Sequence, residues 1–120
     1  MITQLTDFPE NVVAFRCTGR VTRGDYENVL VPAVLDKLHS HDKVRLYYET
    51  GEDFAGFDPG AMWEDFKVGV EHLTRWEKVA VVTDIDWIRK AVQFFAFLMP
   101  ATTRLFSCTE AAQASGWISA

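Results

Sequence analysis

The chain has 120 residues, of which 48% are hydrophobic and 24% are charged, and its formal net charge at neutral pH is −5. This length and composition predict one folded domain over residues 1–120, with a core that needs neither disulfides nor metal, and they exclude a disordered chain. The acidic balance disfavours nucleic-acid binding, and the lack of a signal peptide or of an apolar run of about 18 residues predicts a cytoplasmic protein.

The first 41 residues predict a hairpin followed by a helix. Apolar runs at residues 2–8 and 11–18 predict two strands joined by a turn. Residues 22–41 predict the first helix, because apolar side chains recur there at helical spacing. Pro32 conflicts with a regular helix because proline lacks a backbone N–H, so the helix either begins later or is kinked near Asn28.

The middle of the chain predicts a strand, a loop and a second helix. Residues 43–50 have the apolar and β-branched character of a strand, and residues 51–57 predict a loop. Residues 58–76 predict the second helix. Asp58 is its N-cap and Pro59 occupies its first helical position, which together form a strong start signal.

The last third of the chain contains the most apolar stretch. Residues 78–83, KVAVVT, read as a strand buried on both faces, as in a parallel sheet. Asp86 caps a third helix at residues 87–99, which a proline terminates. A fifth strand at residues 102–108 and a last short helix at residues 110–118 follow.

The predicted element order is ββαβαβαβα, an α/β fold. Strands that alternate with helices form parallel sheets, so we expect a mixed, mainly parallel five-stranded sheet with four helices. The amino-terminal hairpin supplies the antiparallel edge. Cys17 and Cys108 both fall in apolar strand-like runs and predict two buried thiols.

Several motifs in this order resemble the SpoIIAA-like proteins, a bacterial group related to the STAS domains of anti-sigma-factor antagonists. The matching segments are Gly24-Asp25-Tyr26, Phe57-Asp58, AMWEDF at 61–66, KVAVVTD at 78–84 with Trp87, Arg104-Leu105-Phe106, and Ala111-Ala112 to Trp117. The resemblance implies a STAS-like fold close to the lipid-carrying CRAL-TRIO fold. It also implies a small apolar ligand or membrane association, with a third helix that moves between open and closed positions.

One departure from the family pattern concerns phosphorylation. Classical anti-sigma-factor antagonists carry a phosphorylatable serine, preceded by aspartate, at the start of the second helix. Here that region reads Phe57-Asp58-Pro59-Gly60-Ala61, and no serine or threonine occurs between Gly51 and Leu73. The sequence therefore argues against a kinase-driven switch of that type.

The third helix is the main candidate for a binding surface. Its apolar residues span one broad arc and comprise Trp87, Ile88, Ala91, Val92, Phe94, Phe95, Leu98 and Met99. Phe97 falls among the polar residues and should be exposed if the arc packs on the sheet. Either the arc is simply core, or the helix covers a pocket, touches a membrane or forms a dimer interface. In the membrane case Arg89 and Lys90 would meet anionic headgroups.

The loop before the second helix supplies a second group of candidate residues. Phe54, Phe57, Met62 and Trp63 surround the end of the third strand, where ligands bind in open α/β sheets. These side chains are either core or part of the same ligand-binding or membrane-binding site.

Metal and catalytic chemistry receive little support from the residues. Asp84 and Asp86 are explained by turn and cap roles, and His39 and His41 lack further ligands at suitable spacing. No catalytic motif is present, although folding could still bring Glu49, Asp84 and a histidine together. We therefore predict no cofactor, no metal site and no enzyme activity.

The sequence thus predicts a non-catalytic module that binds an apolar small molecule or lipid, or associates peripherally with the inner membrane face, through a mobile third helix. The alternative is a STAS-type protein-interaction regulator that lacks the phosphorylatable serine. Its contact surface would be residues 58–63, and its partner would be a regulatory protein. A homodimer is a further expected assembly.

Overall fold

The structure, a computed structural model, describes residues 1–71, 73–98 and 101–120. The strands are β1 (Ile2–Leu5), β2 (Val12–Cys17), β3 (Arg20–Val21), β4 (Val44–Thr50), β5 (Gly56–Phe57), β6 (Trp76–Val82) and β7 (Thr102–Phe106). Five of them form one sheet in the order β1-β2-β4-β6-β7. The β1–β2 pair is antiparallel and the other three pairs are parallel, which confirms the predicted sheet.

In the described part of the chain, four helices accompany this sheet, as predicted. Helix α1 is continuous through an α-helical turn (Arg23–Asp25), a π-helical segment (Tyr26–Leu30) and an α-helix (Val31–Ser40). Helices α2, α3 and α4 are Pro59–Glu71, Asp86–Leu98 and Ala111–Ser119. Short 3-10 turns at Leu73–Arg75 and Cys108–Glu110 precede β6 and α4.

The π-helical segment shows how α1 accommodates Pro32. The N–H of Val31 donates to the carbonyl of Tyr26, five residues back, so the helix is widened just before the proline. Helix α1 therefore begins well before the proline, at Arg23. Its irregular π-helical segment includes Asn28, the residue near which the sequence predicts a kink if the helix is continuous.

Strands β3 and β5 are absent from the sequence prediction. They pair in parallel outside the main sheet, with Arg20 opposite Gly56 and Val21 opposite Phe57. Each strand has two residues, too few to show a strand period, so only the tertiary pairing defines them. Part of the predicted loop at residues 51–57 is therefore strand.

Two apolar layers lie on opposite faces of the sheet. Helices α1, α2 and α3 cover one layer, and the other packs against α4. The first includes Val13, Phe15, Val34, Ala61, Val79 and Val81, and the second includes Val12, Ala14, Ala80, Val82, Phe106 and Ile118. Among the described helices, none is long and apolar enough to cross a membrane.

The start of α1 is fixed by reciprocal hydrogen bonds between Thr22 and Asp25. The backbone N–H of Thr22 donates to Asp25 Oδ2 at 2.8 Å, and the N–H of Asp25 donates to Thr22 Oγ1 at 3.2 Å. The Met1 ammonium lies 3.5 Å from the same carboxylate. Burial alone would raise the pKa of Asp25. The hydrogen bonds that the N–H and the hydroxyl of Thr22 donate to the carboxylate, together with the ammonium charge, outweigh burial and lower this pKa.

We expect the substitution Asp25→Ala to lower the free energy of unfolding by about 1 kcal/mol at neutral pH, because it removes this cap. Since the folded-state pKa is lowered, the wild-type advantage is present above the ordinary aspartate range near about pH 4. It should disappear as the pH falls through the folded-state pKa. Urea unfolding across that range tests this, with exposed Asp36→Ala in the same helix as control. Equal losses in both variants would contradict the cap assignment.

Candidate functional site

All four aromatic side chains of helix α3 are exposed. Phe97 is 88% exposed, Phe94 65%, Trp87 49% and Phe95 39%. The exposure of Phe97 matches the prediction. Of the two alternatives that the sequence leaves open for the arc, an arc that is simply core does not hold for Trp87, Phe94 and Phe95, because the arc is wider than the stripe that packs on the sheet.

A narrow apolar stripe and the hydrogen bonds of one arginine hold α3 against the sheet. Ile88 is buried, and Val92, one helical turn later, packs against the core. Arg89 Nη1 donates to the carbonyl of Thr83 at 2.8 Å and to that of Phe106 at 3.2 Å. Arg89 therefore ties the helix to the carboxyl ends of β6 and β7.

The loop aromatics join α3 through ring contacts. The rings of Phe54 and Phe57 are 5.0 Å apart, and the ring of Phe57 meets that of Trp87 edge-on at 6.1 Å. Phe54 and Phe57 also pack against the core, so they support the helix as well as bordering its exposed face. The structure thus brings these three predicted residues together.

The remaining predicted residues have different positions. Met62 and Trp63 are 51% and 58% exposed on α2. Lys90 forms an ion pair with Asp86 at 3.1 Å along α3. Met99 and the side chain of Leu98 lie outside the described part of the structure. We call the four exposed side chains Trp87, Phe94, Phe95 and Phe97 the aromatic face.

An open cleft of about 480 Å³ lies on the other face of the sheet, at the carboxyl ends of β2 and β4. Its lining residues are Arg16, Thr18, Glu49, Thr50, Gly51, Glu52, Asp53, Cys108 and Ala111. This cleft was not predicted from the sequence. The sequence does show that Arg16 and Glu49 are charged residues within two otherwise mostly apolar strands. Their pairing, however, depends on the register between β2 and β4, which the sequence alone does not give.

Glu49 is held by two donors in this cleft. Arg16 Nε donates to Glu49 Oε2 and Tyr47 Oη donates to Glu49 Oε1, both at 2.6 Å. The Glu49 hydrogen bond and charge raise the pKa of Arg16, and burial together with Glu49 raises the pKa of Tyr47. Arg16 and Tyr47 thus keep their protons at neutral pH and remain donors to Glu49.

The histidines that the sequence analysis considered do not join Glu49 and Asp84. His39 lies in the last turn of α1 and His41 directly follows that helix, before β4 begins, which is the opposite end of the sheet from the cleft. Asp84 Oδ1 accepts from the Cys108 N–H at 3.0 Å, and Asp86 pairs with Lys90. Among the described residues no cluster of three or more acidic, histidine or cysteine side chains is placed to hold a metal.

The two cysteines differ in accessibility, so the expectation of two buried thiols is wrong for Cys108. Cys17 is fully buried in the core, whereas Cys108 is exposed beside the cleft. Partial burial of the sulfur raises the pKa of Cys108, and the hydrogen bond and negative charge of the neighbouring Asp84 carboxylate raise it further. Since the thiolate is the nucleophile, this thiol should react slowly at neutral pH.

We expect iodoacetamide to modify Cys108 in the folded protein more slowly than it modifies a free thiol, with the rate rising as the pH rises toward the elevated pKa. Asp84→Asn should speed this reaction because it removes the carboxylate charge. Mass spectrometry of alkylated peptides measures both rates. Cys17 provides the internal control, since it should react only after unfolding. An unchanged rate in Asp84→Asn would contradict the assigned cause.

Comparisons with known proteins agree with this architecture. A family model described as SpoIIAA-like matches residues 12–119. The crystal structure of an uncharacterized protein of the DUF3478 family from Shewanella loihica PV-4, described as having a SpoIIAA-like fold, superposes with a TM-score of 0.76. That match has 20% sequence identity and covers 98% of this chain and 93% of the other. No curated protein matches.

Proposed function

Because this chain belongs to the SpoIIAA-like family, we propose that it is a non-catalytic binding module that docks on a membrane surface through the aromatic face of α3. The family supports a regulatory or interaction module in general. The observation that supports the finer proposal is the exposure of four large aromatic side chains on one 13-residue helix. Fully burying such a side chain yields about 1.5–3 kcal/mol, so several together are sufficient to drive interfacial binding.

The degree of exposure favours a surface over an enclosed pocket. Ligand pockets bury most of the ligand, and their lining side chains are themselves largely shielded from water. Phe97 is 88% exposed and Phe94 65%, which suits residues that enter the headgroup and acyl boundary of a bilayer. Trp87 is less exposed than these two and also meets Phe57 edge-on, so it borders the docking face at the base of the helix.

A small apolar ligand beneath α3 is the alternative use of the same helix. It would require α3 to move away from the sheet, breaking the buried contacts of Ile88 and Val92 and the hydrogen bonds of Arg89. Surface docking needs none of these changes. It therefore requires less rearrangement of the structure.

Flotation of the purified protein with phosphatidylcholine vesicles tests the proposal. We expect the protein to rise with the vesicles, and we expect vesicles containing brominated lipid to quench Trp87 fluorescence in a variant whose other tryptophans are replaced by phenylalanine. Protein that stays at the bottom of the gradient with every vesicle would overturn membrane docking. Native mass spectrometry would then show whether the protein carries an apolar ligand instead.

A second candidate function is a protein-interaction regulator, which the exposure of Met62 and Trp63 favours. Both side chains stand near the start of α2, and no hydroxyl residue is available there for phosphorylation. A partner recovered by the wild type and by Phe97→Glu, but lost from Trp63→Glu, would support this function. Equal recovery by all three proteins would count against it.

A further inference from the structure

Three aromatic side chains of the aromatic face lie in one row along α3. Trp87 and Phe94 are seven residues apart, which is about two helical turns, and Phe97 follows three residues later. Residues at this spacing share one side of a helix. Each such side chain buries about 150–250 Å² when it is covered. The row is therefore a broad apolar ridge along a helix of 13 residues.

The charged side chains of α3 are compensated within the protein. Lys90 lies in the same row between Trp87 and Phe94, and its ammonium is 3.1 Å from a carboxylate oxygen of Asp86. That ion pair has no net charge. Arg89 is only partly exposed, and its Nη1 donates to two backbone carbonyls. Headgroup charge therefore contributes little to the binding of this helix, and apolar insertion must supply most of it.

Helix α3 is folded and held in place before it meets a membrane. Ile88 is buried, Val92 packs against the core, and Arg89 bonds to the ends of two strands. Only the outward side chains are then free to enter the bilayer. Their rings need gaps between the headgroups that expose acyl chains, which are called packing defects. A tightly packed flat bilayer must be opened to form such gaps, whereas a curved or loosely packed one already contains them.

Taking the proposed docking on membranes as its premise, we infer that the aromatic face recognises packing defects, and hence strongly curved or loosely packed lipid surfaces, and not headgroup charge. Partition should rise with curvature when the headgroup is kept constant, and added salt should leave it nearly unchanged. If curvature allows one more ring to be buried, partition should rise roughly tenfold.

Flotation with phosphatidylcholine vesicles of two curvatures distinguishes the inference from its premise. Small sonicated vesicles and large extruded vesicles are compared at equal accessible lipid area. Roughly tenfold stronger partition onto the small vesicles supports the inference. Equal partition onto both sizes overturns it while membrane docking stands, and so does binding that requires phosphatidylglycerol and is lost in salt. Flotation with none of these vesicles overturns the membrane docking itself.

Two variants separate ring insertion from charge. Phe94→Ala should lower partition onto small vesicles roughly tenfold, because it removes an exposed ring from the row. Urea unfolding checks that this variant folds like the wild type. The double variant Asp86→Asn with Lys90→Gln removes the ion pair, and asparagine retains the capacity to cap a helix. It should bind small vesicles within about twofold of the wild type. A loss of roughly fivefold, the effect of one charge, would contradict recognition by insertion alone.

Discussion

Phe97→Glu should abolish flotation with phosphatidylcholine vesicles while leaving the free energy of unfolding within about 0.5 kcal/mol of the wild type. Phe97 is 88% exposed, so the folded core loses almost no contact when it is replaced. At a membrane the same change removes about 1.5–3 kcal/mol of apolar burial and adds the cost of placing a carboxylate there. Partition should fall at least about tenfold, since each 1.4 kcal/mol is a factor of ten.

Leu35→Glu is the matched control for this variant. Leu35 is also a large apolar side chain, 48% exposed and on a helix, but it belongs to α1 and lies outside the aromatic face. It should float like the wild type. If both variants lose flotation, the added negative charge weakens binding wherever it is placed, and the loss says nothing about the aromatic face. If neither does, the aromatic face is not the docking surface.

The sheet and the helix that follows it were predictable because their signals are local. The predicted strand at residues 78–83 and helix at residues 87–99 correspond to β6 (Trp76–Val82) and α3 (Asp86–Leu98). A run of β-branched residues, an aspartate cap and a terminating proline suffice to place both elements within two residues. Parallel pairing then follows from the alternation of strands and helices.

The candidate site was predictable only in its residue types. Helical periodicity identified an apolar arc, but the exposure of Phe94 and Phe95 depends on how much of that arc the sheet reaches. Arg89 was indistinguishable from a headgroup ligand in the sequence, because its acceptors are backbone carbonyls of two strands. The Arg16–Glu49 pair likewise depends on the register between β2 and β4.

Arg89→Met should lower the free energy of unfolding by about 2 kcal/mol, because hydrogen bonds made by a charged group contribute about 1.5–3 kcal/mol. Methionine retains much of the apolar stem of the side chain, so the loss reports mainly on the guanidinium. The bonds to Thr83 and Phe106 join α3 to the carboxyl ends of two strands. We therefore also expect faster amide hydrogen exchange across α3 than in the wild type.

Lys90→Met is the control that distinguishes a role of Arg89 in holding α3 on the sheet from a role in binding lipid headgroups. Lys90 is the next residue along the same helix, and its exposed ion pair with Asp86 should contribute only about 0.3–0.5 kcal/mol. Urea unfolding and hydrogen exchange of both variants decide between the roles. If Arg89→Met is no less stable than Lys90→Met but loses binding to phosphatidylglycerol vesicles, then Arg89 binds lipid headgroups and does not stabilise the fold. If Arg89→Met is less stable than Lys90→Met but still floats with phosphatidylcholine vesicles, the guanidinium of Arg89 holds α3 on the sheet. The aromatic face of α3 then docks on the membrane without it.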